Sequence, residues 1–142
     1  MMRTGLAFCA LPEVKRILSG EQTQLVFTRQ ELARATGAGG LLHLAGVLAA
    51  KKAFLKAAGQ PDFQPVSLIA TRILSSGCPV LTVRSRFLRN LLTGSSISLS
   101  ISHTREVAVA FCLLYADKPG DRCQKKALGK RKQPSSLAKA SA

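Results

Sequence analysis

The sequence predicts an α+β domain, a small antiparallel sheet packed against one long helix, and three stretches carry that expectation. The first is an alanine-rich run from Leu41 to Ala58, the longest helical signal in the chain. The second is SISLSISH, Ser96 to His103, which alternates strictly between polar Ser and apolar Ile or Leu. That alternation is a half-buried strand with one polar face. The third is VAVAFCLLY, Val107 to Tyr115, joined to the second by Thr104-Arg105-Glu106, so the two form a hairpin.

The remaining elements follow in chain order. Thr4 to Leu11 is a short apolar run bounded by turn signals, hence a buried strand. Pro12 suits the first turn of a helix over Glu13 to Leu18, and Ser19-Gly20 ends it. Thr28 and Glu31 form a capping box, in which the Thr oxygen accepts from the N3 amide and the Glu reaches back to the cap amide. A short helix therefore starts at Thr28, and ATGAGG (Ala35 to Gly40) breaks it. In the long helix, Leu44, Leu48, Leu55 and Ala58 fall near one face, and Gly59 suits the C-cap region. Lys51, Lys52 and Lys56 crowd its C-terminal half, with Lys52 and Lys56 one turn apart on the same face. Val66 to Leu74 reads as a strand, SSGCP as a turn and VLTVRS as a second strand. Phe87 to Leu92 is helical, with Gly94 ending it. The domain thus spans residues 1–116, and 117–142 read as a basic, disordered tail.

Composition narrows the function classes. The chain has 142 residues and an apolar fraction of 46%, which suits one globular domain. Twenty-one Lys and Arg against 7 Asp and Glu give a formal net charge of +14, which favours anionic partners. Lys125, Lys126, Lys130, Arg131 and Lys132 of the tail carry part of it. Nucleic acid is a poor fit, because only 5% of residues are aromatic and no nucleic-acid motif is present. Cys9, Cys78, Cys112 and Cys123 show no metal spacing, and two lie in apolar runs; this reads as a reducing, cytoplasmic compartment without a disulfide framework. No run of about 18 apolar residues exists to cross a membrane. The opening MMRTGLAFCALP is read as a first strand rather than a signal peptide.

Four segments, in order, resemble the holo-acyl-carrier-protein synthase family of phosphopantetheinyl transferases. VFTRQEL resembles that family's Phe-Thr-x-x-Glu-Leu helix entry, and LAGVLAAKKAFLKAAG (Leu44 to Gly59) its signature helix. SGCPVLTV resembles its Gly-Lys-Pro turn and strand, and LSISHTREVAVAF its closing hairpin. GLAFCALPEV also fits the family's first strand in register, so the likeness covers about residues 5 to 114. The resemblance implies transfer of 4′-phosphopantetheine from coenzyme A to a serine of acyl carrier protein. It also implies a homotrimer with coenzyme A between adjacent subunits and a bridging magnesium ion.

Carried over by position, the resemblance puts Lys51 and Lys56 on the two lysines of the signature helix. Lys56 would act at the phosphate beside the bond that breaks. Ser102, His103 and Thr104 match the strand end that meets the 3′-phosphate region of coenzyme A. The family's metal carboxylates fall on Ala7 and Lys52, neither of which can hold Mg²⁺. Lys52 could instead pair directly with the diphosphate. Val47 replaces an Arg for phosphate, Leu48 a Phe, and Glu13 an Arg that faces the carrier protein. The alternative to a transferase is therefore an inactive protein that keeps the fold and coenzyme A binding. A small basic nucleic-acid-binding protein is a more distant alternative.

Overall fold

A computed structural model of the chain describes residues 2–116, so the basic tail lies outside the described residues. Five strands and five α-helices follow in the order β1 (Arg3–Ala10), α1 (Leu11–Ser19), α2 (Thr23–Val26), α3 (Arg29–Arg34), α4 (Gly40–Ala57), β2 (Ile69–Ile73), β3 (Pro79–Val83), α5 (Arg86–Leu91), β4 (Ser95–His103) and β5 (Val107–Ala116). The α+β class holds, but the strands form two sheets rather than one. β1, β5 and β4 make an antiparallel sheet in that order, and β2 and β3 a separate hairpin. The single strand expected over Val66 to Leu74 is split, because Val66–Leu68 coils into a 3₁₀ turn before β2 begins. The short helix α2 carries no sequence signal of its own.

Helix α4 is the centre of the molecule. The sequence points to one apolar face, yet 13 of its 18 residues are buried. The three-stranded sheet covers one side, and α1, α3 and β2 cover others. A helix that is apolar nearly all round is stable only when wrapped in this way. Small side chains permit the close fit: a Cβ built on Gly5 of β1 would lie 1.9 Å from the Ala53 carbonyl oxygen. β1 and α4 therefore touch backbone to backbone, and a side chain at Gly5 would push them apart. The helix ends in a Schellman motif, where Gly59 adopts φ +72° and the Gln60 N–H donates to the Leu55 carbonyl at 2.8 Å.

The capping box forms as the spacing predicts, with Thr28 and Glu31 each accepting the other's amide hydrogen. The Ser85 hydroxyl accepts the Leu88 N–H at the start of α5, without a reciprocal bond. In the sheet, Ala7, Cys9, Ala108, Ala110, Cys112, Ile97 and Leu99 point inward onto α4. Ser98, Ser100 and Ser102 point outward. Cys9 and Cys112 are free and buried, whereas Cys78 is disulfide-bonded, against the expectation that the chain carries no disulfide.

Candidate functional site

Strand β1, the first turn of α1 and the C-terminal half of α4 meet along one edge of the larger sheet. Lys52 and Lys56 both reach toward this edge. The exposed Lys56 donates from Nζ to the Leu6 carbonyl of β1 at 3.0 Å. Lys52 donates to the carboxylate of Glu13, which sits in the first turn of α1 just after Pro12. An acidic residue is favoured there by the helix dipole. An ammonium has three N–H donors, so each of these lysines uses one and keeps two. The edge therefore presents two cations, one turn apart, with donors to spare.

Cys9 lies behind the pair. Burial pushes its thiol up from 9.0 to about 12, Glu13 adds to the shift, and Lys52 opposes it. At neutral pH Cys9 is a neutral thiol, which makes it packing rather than a nucleophile.

The same edge is where the resemblance places magnesium, and its residues do not fit that ion. Ala7 is a buried methyl group, and Lys52 brings an ammonium. The one carboxylate present, Glu13, is engaged by Lys52. The Leu6 carbonyl is engaged by Lys56. Among the described residues, no group of three or more His, Cys, Asp or Glu side chains could hold a metal. Magnesium requires a near-octahedral shell of hard oxygens, which a cation at Lys52 repels.

Lys51, expected as a coenzyme A ligand, requires correction. Its side chain is 0% exposed and bonds to Glu31 at 2.6 Å and to the Val26 carbonyl at 2.7 Å. The Phe27 ring lies 5.6 Å away. Desolvation lowers its pKa, against the pull of Glu31. An ammonium so enclosed offers nothing to a ligand in solvent. Glu31 in turn serves three elements, since its other oxygen accepts the Thr71 N–H of β2 at 2.8 Å. The carboxylate expected only to cap α3 therefore ties α3, α4 and β2 together.

The remaining candidates gather at the opposite edge, on β4. His103 and Ser102 are exposed, and the His103 Nδ1 lies 3.3 Å from the Thr104 carbonyl. Thr104 serves the turn, its Oγ1 accepting from the Glu106 and Val107 amides. His103 lines a cavity of about 330 Å³ together with His43, Gly46, Val47 and Ile101. His43 is not singled out by the sequence patterns; its position four residues before Val47 on α4 was the available signal. Nine residues separate His43 from Lys52 and Val47 from Lys56, two and a half turns of helix, so the two sets face opposite sides of α4. Within one chain, then, the lysine edge and the histidine edge do not form one pocket.

No protein-family model matches the chain. Its sequence is 38% identical over 74 residues to the holo-[acyl-carrier-protein] synthase of Protochlamydia amoebophila (strain UWE25). That stretch covers 51% of this chain and 60% of the relative, less than two thirds of its length. The fold is similar to the ACPS–CoA complex of Chronobacterium ammoniagenes, with a TM-score of 0.71 and 28% identity, covering 83% of this chain and 99% of that one. It is also similar to a holo-(acyl-carrier-protein) synthase from Bacillus anthracis str. Ames in complex with CoA (3′,5′-ADP). There the TM-score is 0.65 and the identity 25%, over 82% of this chain and 100% of that one.

Proposed function

We propose, from its likeness in sequence and fold to holo-[acyl-carrier-protein] synthases, that this chain is a divergent member of that family and moves 4′-phosphopantetheine from coenzyme A to a serine of acyl carrier protein. The observation that carries the reading is the pair Lys52 and Lys56, two cations with unused donors on the long helix α4. In the transfer, the serine oxygen bonds to the phosphorus nearer pantetheine as the bridging P–O bond breaks. Adenosine 3′,5′-bisphosphate leaves. Phosphoryl transfer of this kind is mostly positioning and charge neutralisation. Lys56 stabilises charge at the bond that breaks, or protonates the leaving phosphate. No step passes through magnesium.

The site is completed by a second copy of the chain. The outer face of the larger sheet exposes Leu6 at 48%, Phe8 at 62% and Phe111 at 44%, and Leu6 pairs directly with Phe111. Exposed apolar groups clustered on a sheet favour burial against a partner. In a homotrimer, the lysine edge of one subunit would meet the histidine edge of the next. Coenzyme A would then span Lys52 and Lys56 on one side and Ser102, His103 and Thr104 on the other. The net charge of +14 suits an acidic carrier protein. The same reading places the protein in the cytoplasm and in fatty acid biosynthesis.

A second reading, in which the chain binds coenzyme A without transferring it, is favoured by the side chains at Ala7 and Lys52. One assay separates the two. The purified protein is incubated with apo-acyl carrier protein and coenzyme A, with and without Mg²⁺, and the carrier is weighed. A gain of one phosphopantetheine, lost with Lys56→Ala, supports transfer. An unmodified carrier beside an active synthase rejects transfer and leaves the binding reading.

A further inference from the structure

The mismatch at the lysine edge is a balanced one. A divalent cation on two carboxylates is neutral as a unit. Lys52 on Glu13 is also neutral as a unit, although the two come from different elements and lie 39 residues apart. The side chains of Lys52 and Glu13 are 35% and 27% exposed, so the pair sits at the mouth of the site rather than inside the core. We infer that Lys52 is a tethered cation standing in for the metal ion, held by Glu13 as its positioning residue, so that the diphosphate of coenzyme A is bound without a divalent cation. The inference rests on the coenzyme A reading above.

The geometry supports each part. Lys52 gives one donor to Glu13 and keeps two for a ligand oxygen. Lys56 stands one turn further along, again with two free donors, anchored by the Leu6 carbonyl. Side chains four apart on a helix are neighbours, so two ammonium groups meet the same diphosphate. Glu13 holds the flexible four-carbon stem of Lys52 in place before the ligand arrives, which lowers the ordering cost of binding. The neutral Cys9 and the methyl of Ala7 close the inner side without adding negative charge.

Replacing Glu13 separates this arrangement from a metal site by the size of its effect. In a metal site Glu13 would be the one remaining carboxylate, and its loss would abolish binding. Beside a tethered cation its loss only frees the Lys52 stem, and binding weakens modestly whether or not Mg²⁺ is present. The test is calorimetric titration of coenzyme A into the full chain, in EDTA and in Mg²⁺. Affinities that agree within about twofold between the buffers are expected, with Lys52→Gln weaker by about tenfold or more and Glu13→Gln weaker by only about two- to fivefold in both buffers. Thermal melts confirm that the variants are folded. Binding that requires Mg²⁺, or that Glu13→Gln abolishes or tightens, would overturn the inference and leave the coenzyme A reading standing. Absence of binding in both buffers would overturn both. A second variant, Ala7→Asp with Lys52→Glu, should take up Mg²⁺ and then need it for coenzyme A. No uptake by calorimetry would show that these positions are not the metal site, and would also sink the inference.

Discussion

Lys51 and Lys52 are consecutive residues of α4, and each holds a glutamate, but the two pairs live in different media. Lys51 and Glu31 are 0% and 3% exposed, and every strong partner they have is protein. Lys52 and Glu13 stand partly in water, with donors left over. Taking two charges out of water costs several kcal/mol per ion, recovered only through good geometry and further hydrogen bonds. Lys51 and Glu31 have those, through Val26, Thr28 and Thr71. The inner pair is therefore a structural clasp, in which loss of one partner strands the other. The outer pair, part-exposed, costs little to break.

That contrast can be broken by experiment, beginning where the effect is largest. Glu31→Ala should cost about 3–5 kcal/mol of stability, because it strands a buried ammonium and leaves the Thr28 N–H without its acceptor in the capping box. Urea unfolding measures it, and a loss below about 1 kcal/mol would mean that the inner pair is no clasp.

The next effect concerns the buried thiols. Cys9 and Cys112 are each raised from 9.0 to about 12, chiefly by burial. The folded chain then keeps protons that the unfolded chain releases. Their contribution is fully present below pH 9 and is lost as pH rises toward 12, by about 1.4 kcal/mol per pH unit per thiol. Urea midpoints at pH 8 and pH 10 should show this fall, and Cys112→Ala should flatten it. Cys112 tests burial alone, whereas Cys9 also feels the outer pair. An unchanged slope in Cys112→Ala would remove burial as the cause.

The smallest effect belongs to the outer pair. Lys52→Ala should change stability by no more than about 1 kcal/mol, since part-exposed ion pairs contribute little and salt screens them. A cost as large as that of Glu31→Ala would erase the distinction between the two pairs.

The same residues show how far the sequence could be read. The capping box was legible because Thr28 and Glu31 are three residues apart, and its geometry is a property of one helical turn. The closing hairpin was legible for a similar reason, since the alternation of SISLSISH is local. The fate of Lys51 was not. The resemblance points Lys51 toward coenzyme A, and only the packing of α3 and β2 over α4 encloses it. The Lys52–Glu13 pair was equally hidden, because its partners meet only after β1 crosses α4.

The sequence by itself determined the local matters: the class of the fold, the caps, the hairpin and the presence of three lysines at one helix end. Those depend on side-chain period and residue type, which are written along the chain. Tertiary structure decided which lysine is buried and which is free, that Glu13 answers Lys52, and that the lysine and histidine edges lie on opposite sides of α4. Those depend on which surfaces are removed from water, and the solvation of a charge is set by everything packed around it rather than by its neighbours in sequence.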